Sequence, residues 1–250
     1  MRRGNLVFLV LVLILLISGT IAGCGPDPEA AQQHLEQGNA LADEGDYSGA
    51  LEEYTEAIRL DPKLDQVHYN RGIIYAMMGN LESAINDFDT AIRLDPDFAE
   101  AYSNRGSALA NMDQPEWAVE DFTMAIRLVP EEAMPHFNRG ITYAQLGEFE
   151  SAVADFTNAI SLNPEEPVFY FQRGNAYYEL GELETAIFDH SETILLDPEF
   201  TEAYYFRGID YKDLGNDTAA LADFEKFITL TDNDFWIDMA RQQIEELTIS

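Results

Sequence analysis

The sequence predicts an all-α solenoid of six tandem repeats, and three observations carry that prediction. An Asn-Arg-Gly triplet recurs every 34 residues, at 70–72, 104–106 and 138–140, with variants at 172–174 and 206–208. If this glycine is numbered position 8 of a repeat, position 20 is alanine in all six copies and position 32 is proline in the first five. Apolar residues within each copy step by three and four, which is typical of a buried helical stripe. A period this regular indicates an array in which each unit stacks on its neighbours.

Each copy divides into a helix A and a helix B. Position 15 is glycine in five copies, where it ends helix A with a left-handed residue. Repeat three has Asp113 there instead, and Pro115 opens its helix B at a first-turn position that tolerates proline. The proline at position 32 stops helix B. Bulky residues at positions 4, 11 and 24 alternate with small ones at positions 8, 20 and 27, which indicates closely packed helices.

The regular pattern weakens toward the end of the chain. His190 and Thr193 replace the usual aromatic residue and alanine of repeat five, and Asp232 stands where proline is expected in repeat six. A further helix is predicted from about Asp234, with apolar residues on one face. Such a helix covers the open end of the last hydrophobic layer, as solenoids require.

The 34-residue helix–turn–helix unit resembles the tetratricopeptide repeat along residues 31–232. The resemblance implies a right-handed superhelical stack of six helix pairs, with residues 233–250 as a capping helix and tail. Most arrays of this family are binding scaffolds rather than enzymes. In the family, helix A positions 2, 5, 6, 9, 12 and 13 line the concave surface.

Two rows of side chains fall on these concave positions. The first row is the carboxamides at position 6, which are Asn70, Asn104, Asn138 and Gln172. The second is the aromatic residues at position 5, which are Tyr69, Phe137, Phe171 and Tyr205. Carboxamides both donate to and accept from an extended peptide backbone, and the resemblance implies such an asparagine ladder in peptide-binding members. We expect the aromatic row to stay partly exposed and to supply apolar contact area.

Other interpretations of this surface remain open at this stage. The carboxamides would equally serve only to keep the inner face soluble. A small-molecule or sugar-binding protein, with the aromatic row stacked on its ligand, is the alternative function. A carboxylate clamp of the kind found in some family members is disfavoured, because Leu35, Tyr69, Gln66 and Glu100 stand where it needs lysines.

Residues 1–23 have the layout of a signal peptide, with Arg2 and Arg3 before an unbroken apolar run from Leu6 to Ile17. The residues Ile21-Ala22-Gly23-Cys24 that follow resemble the lipobox of bacterial lipoproteins. That resemblance implies a diacylglycerol on Cys24, a tether over residues 24–30, and a lipid-anchored protein whose soluble part lies outside the cytoplasm, on the cell membrane or outer membrane. An uncleaved membrane anchor over residues 6–22 is the alternative.

Composition excludes several function classes. The chain has 46 acidic and 14 basic residues and a formal net charge of −32, so it repels phosphate polyanions and is not expected to bind nucleic acid. A basic or neutral protein or peptide is the expected partner. Cys24 is the only cysteine, and no phosphate loop or catalytic constellation is present, so neither an enzyme nor a cofactor is predicted. The histidines at position 4 fall one per layer, which disfavours metal binding.

An arginine at position 7 always occurs with an aspartate at position 23 of the same copy, in repeats two to six. This pairing predicts a ladder of Arg–Asp ion pairs, either within each copy or with the copy before. A partly buried guanidinium is tolerated when it is paired and hydrogen-bonded. The competing interpretation is an arginine row that faces an anionic ligand.

Overall fold

A computed structural model describes residues 27–249. The predicted signal peptide and Cys24 lie outside the described residues. Within that range there are thirteen α-helices and no strand. Their bounds are α1 Pro28–Asp43, α2 Tyr47–Leu60, α3 Asp65–Met77, α4 Leu81–Leu94, α5 Ala99–Asn111, α6 Pro115–Leu128, α7 Ala133–Gln145, α8 Phe149–Leu162, α9 Pro167–Glu179, α10 Leu183–Leu196, α11 Thr201–Asp213, α12 Asp217–Leu230 and α13 Asp234–Ile249.

Local sequence explains where these helices begin and end. Asp46, Asn80 and Asn216 cap B helices by accepting a hydrogen bond from the backbone N–H three residues later. The five glycines at position 15 all have positive φ between 76° and 82°. Asp113 is the one non-glycine residue with positive φ in residues 27–249, at 59°. The predicted left-handed end of helix A is therefore confirmed in the five repeats with glycine, and Asp113 adopts the same conformation in repeat three.

The odd-numbered helices from α1 to α11 are the A helices, and the even-numbered ones are the B helices. Each A helix packs on the B helix of its own repeat, and each B helix packs on the next A helix, up to α12 against α13. Successive A helices also contact one another, from α1 with α3 to α9 with α11, whereas no such series joins the B helices between residues 27 and 249. The A helices therefore form the more closely spaced, inner layer of the solenoid.

Glycine at position 8 sets the distance between the two helices of a repeat. A β-carbon at Gly72 would lie 2.8 Å from the ring of Phe88, and one at Gly140 would lie 2.7 Å from Phe156. Both phenylalanines are at position 24 and are fully buried, as are the alanines at position 20. The predicted alternation of bulky and small positions is confirmed. None of the helices described between residues 27 and 249 has the length and apolar character needed to cross a bilayer.

Candidate interaction groove

The four carboxamides predicted to face a partner are half-exposed on the inner layer. Asn104 lies in a depression between α3 and α5, whose walls include Ile73, Met77 and Asn111. Asn138 lies in an equivalent depression between α5 and α7. Asn111 borders both depressions, so they are consecutive segments of one groove. We call this surface, formed by helix A positions 2, 6, 9, 12 and 13, the A-helix groove.

The carboxamides differ in how far the protein already satisfies them. Asn70 donates to Asn39 Oδ1 at 2.8 Å, and Gln66 donates to Asn70 Oδ1, also at 2.8 Å. Asn104 donates to the hydroxyl of Tyr69 at 2.9 Å. Residues 27–249 provide no side-chain hydrogen bond for Asn138 or Gln172. The middle and later part of the row therefore retains the most capacity to bind a partner's backbone.

The expectation that the position-5 aromatics stay exposed is wrong for three of the four. Phe137 and Phe171 are each 8% exposed and Tyr205 is 6% exposed, while Tyr69 is half-buried. Each ring packs between the position-24 side chain of its own repeat and a ring at the beginning of the helix that follows that repeat. The ring of Phe137, for example, lies 5.8 Å from Phe156 and 4.7 Å from Phe169, measured between centroids. These aromatics therefore join the repeats together; Tyr69 also accepts a hydrogen bond from Asn104 through its hydroxyl, and Tyr205 borders the last segment of the groove.

Methionines, which the sequence analysis did not single out, expose apolar surface in the groove. Met77 at position 13 is 59% exposed and Met134 at position 2 is 52% exposed. Met134 lies one helical turn before Asn138 on α7, so the two side chains share a face. Methionine is flexible and polarizable and adapts to different partners. The signal that could have identified them is a large apolar residue at a position that the family leaves exposed.

Few charged side chains lie in the middle of the groove. In repeats two to four, positions 6, 9, 12 and 13 contain only asparagine, glutamine, serine, alanine, isoleucine and methionine. The acidic residues on these positions are confined to the ends of the array, with Glu36 and Asp43 in repeat one and Glu179 and Asp213 in repeats five and six. At the later end the Tyr178 hydroxyl donates to Asp213 at 2.8 Å, and this bond raises the pKa of Tyr178 to about 12. Position 2 adds Glu100 in repeat three and Glu202 in repeat six, so in this chain of net charge −32 the centre of the groove is nearly neutral and its ends are acidic.

The predicted Arg–Asp ladder is confirmed, and each pair lies within one repeat. Each arginine at position 7 donates from Nε to the aspartate at position 23 at 2.7 Å and from Nη2 to the second carboxylate oxygen. The pairs are Arg71–Asp87, Arg105–Asp121, Arg139–Asp155, Arg173–Asp189 and Arg207–Asp223. The hydrogen bonds to Asp155 raise the pKa of Arg139 against the opposing effect of burial. A row of arginines free to meet an anionic ligand is therefore not formed.

The third guanidinium nitrogen of each arginine reaches the preceding repeat, which the sequence analysis did not foresee. Nη1 donates to the side chain at position 25 of that repeat, for example from Arg139 to Thr123 at 2.8 Å and from Arg173 to Thr157 at 3.1 Å. Arg105 contacts Asp89 in the same way. One side chain thus joins both helices of its own repeat and the repeat before it.

The position-4 histidines lie beside the same row of acids, one per layer. His34 contacts Glu53, His68 Nδ1 lies 3.3 Å from Asp87, and His136 Nδ1 lies 3.6 Å from Asp155. Among residues 27–249, no group of three or more histidine, cysteine, aspartate or glutamate side chains is arranged to hold a metal ion. The most buried titratable pair is instead His190 with Asp210, at 2.7 Å between repeats five and six. Burial raises the pKa of Asp210, and the hydrogen bond to His190 opposes that rise.

Comparison with protein families identifies the repeat directly. A TPR repeat profile matches residues 38–79, 74–113 and 142–181. A second profile, of the tetratricopeptide repeat, matches residues 201–234, so that together the matches cover more than half of the chain. No curated protein matches the chain.

Many solved structures share the fold. MamA is 25% identical with a TM-score of 0.64, over 70% of this chain and 95% of MamA. YrrB, described as a TPR protein with an unusual peptide-binding site, is 23% identical with a TM-score of 0.66, over 76% of this chain and 97% of YrrB. PilW, described as a widely conserved type IV pilus biogenesis factor, is 20% identical with a TM-score of 0.74, over 85% of this chain and 99% of PilW.

Proposed function

The chain belongs to the tetratricopeptide repeat family, and we propose that it is a protein-interaction scaffold that binds an extended segment of its partner along the A-helix groove. The observation that carries the proposal is the placement of Asn104 and Asn138 in consecutive depressions of one groove. A carboxamide offers both a donor and an acceptor, and it therefore pairs with a peptide unit whatever side chain follows.

Apolar contact in this mode comes from the exposed methionines and from the isoleucines of the depression walls, rather than from an aromatic row. Met77 and Ile73 lie beside Asn104, and Ile141 lies beside Asn138. Each depression thus combines one carboxamide with an apolar wall. This combination suits an extended segment whose backbone meets the carboxamides while alternate side chains enter the depressions.

The charge pattern specifies the partner further. The nearly neutral centre of the groove accommodates an uncharged segment without burying many charged side chains, and the acidic ends attract basic residues that flank it. The net charge of −32 adds a long-range attraction for a basic partner, which increases association rates and weakens as salt rises.

The alternative of a small-molecule or sugar-binding protein loses its main support. It required the aromatic row to stack on the ligand, and the rings of Phe137, Phe171 and Tyr205 are buried between repeats. The depressions that hold Asn104 and Asn138 enclose about 260 and 270 Å³, slightly below the roughly 300–1,000 Å³ of drug-sized ligand pockets.

A double substitution with a matched control tests the groove. Asn104→Ala with Asn138→Ala is expected to abolish capture of the partner from envelope extracts by the purified chain. Asn86→Ala with Asn158→Ala is the control, because these asparagines are exposed on B helices. Loss of the hydrogen bond from Asn104 to the Tyr69 hydroxyl is expected to lower the free energy of unfolding by about 1 kcal/mol. The melting temperatures of both variants are therefore measured first and have to lie above the assay temperature. If the groove variant captures as well as the control does, the partner uses another surface.

We also propose that Cys24 carries a lipid that holds this scaffold at the cell envelope, on the evidence of the signal-peptide layout and of Ile21-Ala22-Gly23 before it. Stable anchoring requires two or more acyl chains, as a diacylglycerol provides. We expect the Cys24→Ser protein to be released from membranes into a soluble or unprocessed form. Recovery of a cleaved Cys24→Ser protein in the membrane fraction would contradict the anchor.

A further inference from the structure

A small cavity closes the C-terminal end of the A-helix groove, between α11 and α13. Its volume is about 160 Å³, and its walls include Glu202, Tyr205, Phe206, Phe227 and Trp236. The carboxamide row stops here, because position 6 of repeat six is Phe206. Helix α13 supplies Trp236 in place of a seventh repeat. The last segment of the groove is therefore aromatic where the earlier segments are amide-lined.

The aromatic rings surround the cavity at close range. The ring of Tyr205 lies 5.2 Å from Phe227 and 5.6 Å from Trp236, and the rings of Phe227 and Trp236 lie 6.5 Å apart, all measured between centroids. Trp236 meets each of the other two rings edge-on, at 74°. Trp236 is 37% exposed, and Phe206 is half-exposed. A guest therefore reaches aromatic surface, whose faces attract cations, tryptophan most strongly.

The charges around the cavity favour a positive guest. Glu202 is exposed at its edge and lies one turn before Phe206 on α11. On α11, Arg207 is paired with Asp223, and Lys212 Nζ lies 2.6 Å from both Gln243 and Glu246 of α13. The charge of Lys212 is thereby largely neutralised. Lys226 on α12 lies over the ring of Tyr204, with Nζ 5.9 Å from the ring centroid, and does not line the cavity. A cation in the cavity would therefore meet the Glu202 carboxylate and the aromatic rings.

The size of the cavity limits the guest to one side chain. A volume of 160 Å³ is about half the lower bound for sites that bind drug-sized molecules. We propose that this cavity is a subsite for a single lysine or arginine side chain of the segment that the groove binds. The inference rests on the proposed function, and it places a basic residue at the end of the partner segment that lies over α11 and α13.

Tryptophan fluorescence tests this subsite in the full mature chain. The chain has two tryptophans, and Trp117 is 61% exposed on α6, so Trp117→Phe leaves Trp236 as the single reporter without loss of a core residue. The probes are the blocked pentapeptides acetyl-Gly-Gly-Lys-Gly-Gly-amide and its norleucine counterpart, which lacks only the ammonium group. We expect the lysine peptide to change the Trp236 emission on binding. The affinity obtained from that change is expected to be at least about fivefold higher than that of the norleucine peptide. Glu202→Gln is expected to reduce that ratio at least twofold.

Equal or tighter binding of the norleucine peptide would overturn the proposal, because the cavity would then select apolar side chains. An unchanged Trp236 emission with the lysine peptide would also overturn it. Failure of the subsite is distinguishable from failure of the groove, since Asn104 and Asn138 lie in other repeats. Suppose that the Asn104→Ala, Asn138→Ala variant loses partner capture and that the lysine peptide does not change the Trp236 emission of the single-tryptophan protein. The proposed groove then stands, and only the proposed lysine or arginine subsite is wrong.

Discussion

Arg139 and Asp155 form a two-point ion pair, with Nε and Nη2 of the arginine 2.7 and 2.8 Å from the two carboxylate oxygens. Asp155 is buried, so it depends on this partner. We expect Arg139→Met to lower the free energy of unfolding by about 3 kcal/mol, because removal of one partner leaves a buried charge uncompensated. Urea denaturation measures the change.

Arg127→Met is the matched control, because Arg127 is exposed near the end of α6, and its effect is expected to stay within about 0.5 kcal/mol. The double variant Arg139→Met, Asp155→Leu is expected to recover part of the loss, since it removes the buried carboxylate as well. Equal midpoints for Arg139→Met and Arg127→Met would show that the ladder does not stabilise the fold.

Asp87 gives the ladder a defined pH dependence. Burial acts to raise the pKa of Asp87, but the hydrogen bonds from Arg71 and His68 outweigh it, and the pKa lies below its ordinary value. A carboxyl whose folded-state pKa is depressed stabilises the fold above its unfolded pKa of about 3.9 and loses that contribution as pH falls through the folded pKa. The stability gap between the wild type and Asp87→Asn should therefore be full at pH 7 and shrink below about pH 4. Urea titrations at a series of pH values would refute this account if the gap stayed constant.

The sequence period predicts the pairing of Arg139 with Asp155 but does not predict the burial of Phe137. The 34-residue period and the stepping of apolar residues identify the helices, their ends and the residues that repeat together, including Arg139 with Asp155. They do not identify contacts between repeats. Phe137 and Asn138 are adjacent in sequence but point about 100° apart around the helix. Phe137 is enclosed by Phe156 of its own repeat and by Phe169 of the next, whereas Asn138 stays open.

Substitution of Phe137 tests whether its side chain is buried between repeats. Phe137→Ala is expected to cost about 3–5 kcal/mol of unfolding free energy, as deletions of buried aromatic side chains do. Met134→Ala, one turn earlier and half-exposed, is the control and is expected to cost less than about 1 kcal/mol. Thermal or urea denaturation compares the two. Equal stability of the Phe137→Ala and Met134→Ala proteins would show that Phe137 is exposed rather than buried.

Asp113 offers a stabilising substitution. It adopts the left-handed conformation, at φ 59°, that glycine supplies in the other five repeats. Asp113→Gly is expected to raise the free energy of unfolding by up to about 1 kcal/mol, since glycine adopts positive φ without steric penalty. Asp113→Asn controls for the loss of charge, because asparagine also tolerates this conformation. A gain in Asp113→Asn equal to that in Asp113→Gly would assign the effect to charge rather than to backbone strain.

Photo-crosslinking from Asn111 tests the central claim most directly, because this exposed residue borders both the Asn104 and the Asn138 depressions. Benzoylphenylalanine at Asn111 is expected to form a covalent adduct with the partner in intact cells. Benzoylphenylalanine at Glu116, exposed on helix B of the same repeat, is expected to form none. An adduct from Glu116 and none from Asn111 would place the partner on the opposite face and contradict the groove as the binding site.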